Sequence, residues 1–382
     1  MVRDTTCPLG AHAVSAPFPF AADQLTLAAL NDLVHTAHPK VDVTDFEVRE
    51  TFLFGSGQVS TAGRIALALT YKGEGAAALP REVMLKVARP ELVALPLYAN
   101  EVAFYTRLRS ELGSSVEAPR CVGGIYDSAS GTFGLGLEDL RVRGATFSNV
   151  KTPHSIAEIQ SLLGSAARLH ARYWESPRFA GDLGWVETHR QGTLHFLFDE
   201  SGIVPGLIQQ QVAEVQFKRE LVESVAQTPE TLGEQVRRVQ AHQAQSPRTL
   251  VHGDLHAGNT YRLPDGTGGF VDWQLTVRGS FIHDVAYLLI TGLTVENRRR
   301  DERQLLAYYL DCLRAAGVTS APDLETTFLE YRRAAVWGVY VGWLTTPVEN
   351  YGWEITVLNH IRLLTAYRDL ETAAALSTLP EV

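Results

Sequence analysis

The first 140 residues contain short runs in which apolar and polar positions alternate, the pattern of half-buried β-strands. In one run Val83, Leu85 and Val87 alternate with Met84 and Lys86. Five runs of this kind are separated by polar or glycine-containing stretches, at residues 47–54, 64–71, 81–87, 123–127 and 132–140. Helices are predicted at residues 25–34 and 97–112. This part of the chain is therefore expected to form a small strand-rich lobe with a helical N-terminal extension.

After residue 140 the pattern becomes mainly helical. Ile156, Ile159, Leu163 and Ala166 recur at steps of three and four residues, which is typical of a helix packed along one face. A more polar stretch predicts a helical insertion at about 177–248. Beyond it, two short apolar runs flank a polar turn, and helical patterns continue to the end of the chain. We therefore expect an N-terminal lobe of residues 1–140 and a C-terminal lobe of residues 141–382.

Composition narrows the classes of function. The 382 residues carry 34 lysines and arginines against 43 aspartates and glutamates, a formal charge of −9, which argues against broad binding to nucleic acid or to an anionic membrane. The longest apolar stretches are shorter than the ~18 residues that span a bilayer. The N-terminus lacks the basic start and apolar run of a signal peptide. We expect a cytoplasmic protein with no membrane or nucleic-acid partner, while the oligomeric state stays open.

The most informative polar cluster follows the apolar run at 249–251. The chain reads His-Gly-Asp-Leu-His-Ala-Gly-Asn over 252–259, and the triplet Asp-Trp-Gln begins at Asp272. Phosphoryl transfer needs a carboxylate near the attacking hydroxyl and oxygen ligands for Mg²⁺ beside the phosphates. Asp254 could supply the carboxylate, and Asn259 and Asp272 the metal ligands, within one site.

Two other interpretations of this cluster remain open. It could be a polar turn between strands, in which His252 and His256 are hydrogen-bonded structural side chains. Alternatively, His252, Asp254 and His256 could bind Zn²⁺ or Fe²⁺ in a metal-dependent hydrolase, because imidazole and carboxylate groups are common ligands of both metals.

The two motifs together resemble the catalytic core of the aminoglycoside phosphotransferase-like kinases, and the Asp-aromatic-Gln triplet most resembles the ecdysteroid-kinase-like branch. The resemblance implies an α+β, protein-kinase-like fold of two lobes and the ATP-dependent phosphorylation of small-molecule hydroxyls. By resemblance, Asp254 is the catalytic base, and Asn259 and Asp272 bind Mg²⁺. His252 would brace the loop, and Asp284 resembles the structural aspartate of the family.

Matching motifs occur upstream in the expected order. Met-Leu-Lys-Val at 84–87 resembles the kinase strand whose lysine holds the α- and β-phosphates. Asn-Glu-Val-Ala-Phe-Tyr at 100–105 resembles the helix that carries the lysine's partner. The resemblance implies that Lys86 pairs with Glu101. Met84 shares a strand face with Lys86 and is therefore expected to face the nucleotide base.

Two further segments carry expected nucleotide contacts. By resemblance, the stretch ending the last strand is the hinge, where backbone groups from Glu138 to Leu140 would bind adenine. The turn Gly-Ser-Gly at 55–57 would place Ser56 and Gly57 beside the phosphates. It lacks the third glycine of the protein-kinase Gly-x-Gly-x-x-Gly loop, and Asp-Trp-Gln replaces Asp-Phe-Gly, so the resemblance is to small-molecule kinases rather than to protein kinases.

The leading hypothesis is an ATP- and Mg²⁺-dependent phosphotransferase that acts on the hydroxyl of a small molecule. A nucleotide-binding pseudokinase with a regulatory role is the second hypothesis, and the metal-dependent hydrolase is the third. The chain does not identify the acceptor. Aromatic residues in its last third could line a pocket for a ring-shaped alcohol or could belong to the core: Trp337, Tyr340, Trp343, Tyr351 and Trp353.

Overall fold

The computed structural model of the chain describes residues 17–52, 61–90, 97–195, 199 and 202–381. The chain divides into two compact units. The first comprises Met1–Gly113 and Ala118–Ala145, and the second comprises Ser114–Glu117 and Thr146–Val382. The change from strands to helices was expected after residue 140, and the boundary between the units lies five residues later, with the short segment 114–117 assigned to the second unit.

The first unit is built on a five-stranded antiparallel sheet with the strand order β1-β2-β3-β5-β4. Its strands are β1 Val41–Phe52, β2 Gly63–Gly73, β3 Glu82–Val87, β4 Cys121–Asp127 and β5 Thr132–Glu138. Strand β1 begins six residues before the predicted position. It lies at the sheet edge, where Val41 and Val43 are buried and the residues after them are mostly exposed.

Two helical segments of the first unit pack on this sheet. Helix α1, Leu27–His35, begins at the N-cap Thr26, whose side chain accepts a hydrogen bond from the backbone N–H of Ala29. Its buried residues join the core of the sheet, and a Cβ atom at Gly123 would lie 2.0 Å from the carbonyl oxygen of Leu33. The second segment was predicted as one helix over 97–112. It consists of α2 Leu97–Ala103, a π-helical turn, and α3 Arg109–Leu112.

The second unit is mainly helical. Helix α4 begins in a capping box, in which Ser155 and Glu158 each accept a hydrogen bond from the other's backbone N–H. Helix α8 is buried along its whole length. The predicted insertion contains α5 to α7. The helices are α4 Ile156–Arg172, α5 Ile203–Glu214, α6 Gln216–Ser224, α7 Pro229–Gln243, α8 Ile282–Gly292, α9 Val295–Ala315, α10 Leu324–Trp337, α11 Val348–Tyr351, α12 Trp353–Asp369 and α13 Thr372–Ser377.

Short strands in the second unit carry the polar motifs. They form one sheet of β6, β8 and β9 and a two-stranded pair of β7 and β10. Their ranges are β6 Thr146–Phe147, β7 Thr249–Val251, β8 Thr260–Arg262, β9 Gly268–Phe270 and β10 Val277–Gly279. The predicted order of a strand-rich part followed by a mainly helical part is thus confirmed. Among the described residues, no helix combines the length and the apolar character that a bilayer span requires.

Candidate active site

The loop between β7 and β8 is held by one buried carboxylate at the start of α8. The two oxygens of Asp284 accept hydrogen bonds from the backbone N–H groups of His252, at 2.7 Å, and Gly253, at 2.9 Å. His170 of α4 donates to the same carboxylate at 3.2 Å. Burial alone would raise the pKa of Asp284, but the hydrogen bond from His170 and the neighbouring imidazoles hold it below its ordinary value. The anchor is therefore an ionised carboxylate.

Glycine is required at position 253 because of both its backbone and its surroundings. Its φ angle is +83°, in the left-handed region, and a Cβ atom there would lie 1.9 Å from the carbonyl oxygen of Leu275. Its own carbonyl oxygen accepts a hydrogen bond from Nε2 of His283 at 2.9 Å. The reversal at Gly253 brings the next residue, Asp254, out of the buried strand end.

Asp254 is fixed by the asparagine five positions later. Nδ2 of Asn259 donates to the backbone oxygen of Asp254 at 2.8 Å and to its carboxylate at 3.1 Å. Nε2 of His256 lies 3.9 Å from the same carboxylate, whose side chain keeps 19% of its surface exposed. The loop thus presents one carboxylate in a fixed orientation that solvent can reach.

His252 connects this loop to the segment that carries Asp272. Its Nε2 donates to the carbonyl oxygen of Val271 at 2.9 Å, and its Nδ1 accepts from the N–H of Asp254 at 3.3 Å. The buried ring of Trp273 lies 4.5 Å from the His252 ring, centroid to centroid. The residues on both sides of Asp272 therefore contact His252, which places Asp272 next to the Asp254 loop.

Asp272 has an unusual backbone conformation, with a φ of 66° and a ψ of 64°. This left-handed region is uncommon for residues other than glycine, although aspartate tolerates it better than most. Its side chain is half-buried. Backbone conformations of this kind concentrate at functional sites, where the surrounding contacts maintain them.

The pKa of the Asp254 carboxyl is raised to about 6. Burial is the largest cause, and the nearby negative charge of Asp272 acts in the same direction, whereas His256 and the hydrogen bond from Asn259 partly offset both. A carboxylate with a pKa close to neutral pH is suited to accept a proton from a substrate.

The oxygen atoms next to Asp254 are suitable ligands for Mg²⁺. Both hydrogen bonds from Asn259 to Asp254 use Nδ2, so the amide oxygen Oδ1 remains available to a cation, and Asp272 adds a carboxylate. Mg²⁺ prefers oxygen ligands and commonly takes one or two protein groups while it keeps several waters. Asn259 and Asp272 are therefore chemically suitable ligands.

The alternative of a zinc or iron site through His252 receives no geometric support. Both ring nitrogens of His252 are hydrogen-bonded within the loop segment, to Val271 and to Asp254. Across the described part of the chain, no group of three or more histidine, cysteine, aspartate or glutamate side chains is arranged to hold a metal ion.

The predicted pair of Lys86 and Glu101 is formed in the first unit. Nζ of Lys86 lies 2.7 Å from Oε1 and 2.6 Å from Oε2 of Glu101, and both residues are buried. Lys86 lies on β3 and Glu101 on α2. A carboxylate that contacts a buried lysine through both oxygens keeps the ammonium charge in one position. A lysine held in this way is suited to bind the phosphate of a ligand.

Of the remaining residues predicted to contact the nucleotide, the structure describes Glu138, Leu140 and Met84. The Glu138 carboxylate binds Arg120 at 2.7 Å and Arg143 at 3.0 Å. The N–H groups of Glu138 and Asp139 donate to the carbonyl oxygens of Arg120 and Glu82. Leu140 begins the 3-10 turn that follows, and Met84 is half-buried on β3. The predicted phosphate-loop residues Ser56 and Gly57 lie outside the described residues.

Sequence reasoning missed several residues that hold the loop. His170 of α4 bonds both Asp284 and, at 2.7 Å, the hydroxyl of Tyr309. Thr291 of α8 accepts a hydrogen bond from the N–H of Ala257 at 3.0 Å. One signal could have identified His170, since a histidine on the buried face of an amphipathic helix needs a hydrogen-bond partner.

Three aromatic residues of the last third differ in their exposure. Trp337 and Tyr340 are core residues, with 3% and 5% of their surfaces exposed, whereas Trp353 is 59% exposed. Trp337 packs against the rings of His189 and His283. The proposal of an aromatic acceptor pocket therefore finds no support in Trp337 and Tyr340.

Comparison with known proteins places the chain in a family. The profile of the phosphotransferase enzyme family matches residues 69–321, which include both polar motifs and the end of β2. An uncharacterized kinase-like protein of Caenorhabditis elegans is 25% identical over 228 residues. That alignment covers 56% of each chain, so the chain spans about half the length of this relative.

Several solved structures are also similar. A choline kinase of Streptococcus pneumoniae matches with 14% identity and a TM-score of 0.45, covering 84% of this chain and 95% of the other. A Plasmodium vivax ethanolamine kinase matches with 11% identity and a TM-score of 0.47, covering 87% of this chain and 84% of the other. A Streptomyces rimosus aminoglycoside phosphotransferase in complex with ADP and streptomycin matches with 17% identity and a TM-score of 0.40, covering 81% of this chain and 98% of the other. On the strength of the profile match over residues 69–321, the chain belongs to the phosphotransferase enzyme family.

Proposed function

We propose that the chain is a small-molecule kinase that transfers the γ-phosphoryl group of ATP to a hydroxyl of its acceptor in the presence of Mg²⁺. The observation that carries the proposal is the geometry of the Asp254 loop. Asn259 fixes the carboxylate at 3.1 Å, and Asp284 fixes the two preceding backbone N–H groups. Family membership supports phosphotransfer as the class of reaction.

In this proposal Asp254 acts directly on the acceptor. The hydroxyl oxygen forms a bond to the γ-phosphorus, the bond from that phosphorus to ADP breaks, and the hydroxyl proton passes to the Asp254 carboxylate. With a pKa of about 6 the carboxylate is largely ionised at pH 7. A base of this kind contributes about 10²–10⁴-fold to a rate.

Asn259 and Asp272 are the proposed Mg²⁺ ligands. When bound, the metal neutralises charge on the phosphates. The chain itself contributes the position of the ligands, because Asn259 is tied to Asp254 through Nδ2 and Asp272 lies between two residues that contact His252.

The first unit is proposed to supply the nucleotide contacts. Lys86, held by Glu101, would bind the α- and β-phosphates, and Met84 on the same strand face would contact the base. Because the N–H groups of Glu138 and Asp139 donate within the unit, the N–H of Leu140 is the proposed backbone donor to adenine. Ser56 and Gly57 remain proposed phosphate contacts from the sequence.

The test is an ATP-consumption screen with the wild-type protein over aminoglycosides, macrolides, steroids and amino alcohols. We expect ADP formation that depends on one acceptor class and on Mg²⁺, and that stops when the metal is chelated. Asp272→Asn should reduce the rate by at least about 10²-fold. Asp265→Asn is the matched control, because Asp265 is an exposed residue of the β8–β9 turn and asparagine can keep its hydrogen bond to the N–H of Thr267.

Two outcomes would contradict the proposal. If ATP raises the melting temperature but no acceptor in the screen causes ADP formation, the regulatory nucleotide-binding hypothesis is favoured. If Asp272→Asn and Asp265→Asn have equal rates with a verified acceptor, the assigned metal ligand is wrong.

A further inference from the structure

A polar pocket with a volume of about 330 Å³ lies in the second unit. It is formed by the loop at residues 188–191, by the C-terminal part of α7 and the segment after it, and by residues 278–280 at the end of β10. Asp254, Asn259 and Asp272 are not among its lining residues. Its volume is in the range of small-molecule sites.

The charged side chains that line this pocket are all arginines. Three arginines line it, Arg190, Arg248 and Arg278, and there is no carboxylate among its described lining residues. The interactions of two of them are weak: Nε of Arg248 lies 3.9 Å from the Glu175 carboxylate, and Nη1 of Arg278 donates to a backbone oxygen at 3.3 Å. In a chain with a formal charge of −9, this is a local concentration of positive charge.

The inner wall of the pocket holds buried hydrogen-bond donors without acceptors. Gln240 and Gln243 lie one turn apart on α7, and each is only 6% exposed. Nε2 of both side chains and Nε of Arg278 have no hydrogen-bond partner among the described residues. Buried polar groups in native proteins are nearly always paired with protein, water or a ligand. Two amide donors and three guanidinium groups together call for an acceptor-rich occupant.

The pocket also contacts the scaffold of the Asp254 loop. His189 lines it, and the His189 ring lies 4.6 Å from the ring of His283, centroid to centroid. His283 in turn donates to the carbonyl oxygen of Gly253 at 2.9 Å. An occupant of the pocket would therefore contact a side chain that packs directly behind the loop.

We propose that this pocket is a binding site for a small oxyanion, the phosphate or carboxylate group of a small molecule. The planar guanidinium group of an arginine presents a fork of N–H donors that matches the oxygens of a phosphate or a carboxylate. Gln240 and Gln243 would donate to the same oxygens from the inner wall. The site is independent of the proposed catalytic reaction, since none of the residues assigned to that reaction lines it.

The test uses inorganic phosphate and citrate as probes, in isothermal titration of the full chain at constant ionic strength. Wild-type protein should bind at least one probe saturably in the millimolar range or tighter. Arg190→Ala and Gln243→Leu should each weaken that binding at least tenfold. The matched controls Arg314→Ala and Gln245→Leu, both exposed and outside the pocket, should bind within twofold of wild type.

Arg190 is exposed, so its variant should fold even if Gln243→Leu does not. Lys86→Met separates this site from the proposed phosphate contact of the first unit, and it should leave probe binding unchanged. The proposal is overturned if neither probe binds saturably, which would mean that water alone fills the pocket. It is also overturned if the pocket variants bind like their controls, or if Lys86→Met alone abolishes binding.

Discussion

Two aspartates thirty residues apart in the chain, Asp254 and Asp284, are both largely removed from water, yet their surroundings act on them in opposite directions. Asp284 is fully buried and accepts hydrogen bonds from two backbone N–H groups and from His170. Asp254 accepts one amide hydrogen bond on its carboxylate and lies near the charge of Asp272. The pKa of Asp284 is lowered and that of Asp254 is raised to about 6.

The difference shows that burial alone does not decide the role of a carboxylate, because both are largely removed from water and the groups around them shift their pKa values in opposite directions. A carboxylate whose oxygens are both hydrogen-bonded is a structural anchor, and it keeps its charge at neutral pH. A carboxylate with few donors and a like charge nearby is ready to take a proton.

The largest expected effect on stability comes from Asp284→Asn. The variant removes the charge and places an NH₂ group where two backbone N–H groups and His170 need an acceptor, so it should lower the free energy of unfolding by about 3 kcal/mol. Urea denaturation at pH 7 measures this change. The exposed control Asp265→Asn should change it by less than about 0.5 kcal/mol. Equal unfolding free energies for the two variants would show that Asp284 is not the anchor.

The effect of Asp284→Asn on stability should also depend on pH, and this dependence is smaller than the effect itself. Because the folded-state pKa of Asp284 is lowered, its charge contributes stability that is present above the unfolded-state value of about 4 and is lost as the pH falls through the folded-state value. The stability difference between wild type and Asp284→Asn should therefore narrow below about pH 4. Thermal denaturation at a series of pH values measures it, and a difference that grows on acidification would contradict the assignment.

The smallest expected effect comes from Thr291→Val, which keeps the shape of the side chain but removes the acceptor for the N–H of Ala257. The cost should be about 1 kcal/mol, because one buried donor is left unpaired. Urea denaturation compares it with Thr326→Val on the exposed start of α10, whose hydroxyl is not used in this loop. If the two variants are equally stable, Thr291 does not support the loop.

The sequence predicted the elements that carry the site better than the contacts between them. The resemblance of the motifs at 84–87 and 100–105 implied that Lys86 pairs with Glu101, and this pair is formed. The hydrogen bond from Asn259 to Asp254 also joins residues only five positions apart. In contrast, His170 and Asp284 are 114 positions apart, and no local pattern relates them.

The pocket of the second unit could not be predicted from local sequence patterns either. Its lining comes from three segments spread over residues 188–280, and each one by itself reads as a polar loop or the exposed end of a helix. The aromatic residues of the last third had two possible interpretations, and burial distinguishes them for Trp337 and Tyr340. Periodicity alone could not, since a helix face looks the same whether it faces the core or a ligand.

The most direct test of the central claim compares Asp254→Asn with wild type in two assays, acceptor-dependent ADP formation and urea denaturation. The substitution keeps the shape of the side chain but removes the proton acceptor. We expect a rate at least about 10³-fold lower, with a free energy of unfolding within about 0.5 kcal/mol of wild type and unchanged ATP binding. An Asp254→Asn variant that turns over at the wild-type rate with a verified acceptor would contradict the assignment of Asp254 as the base.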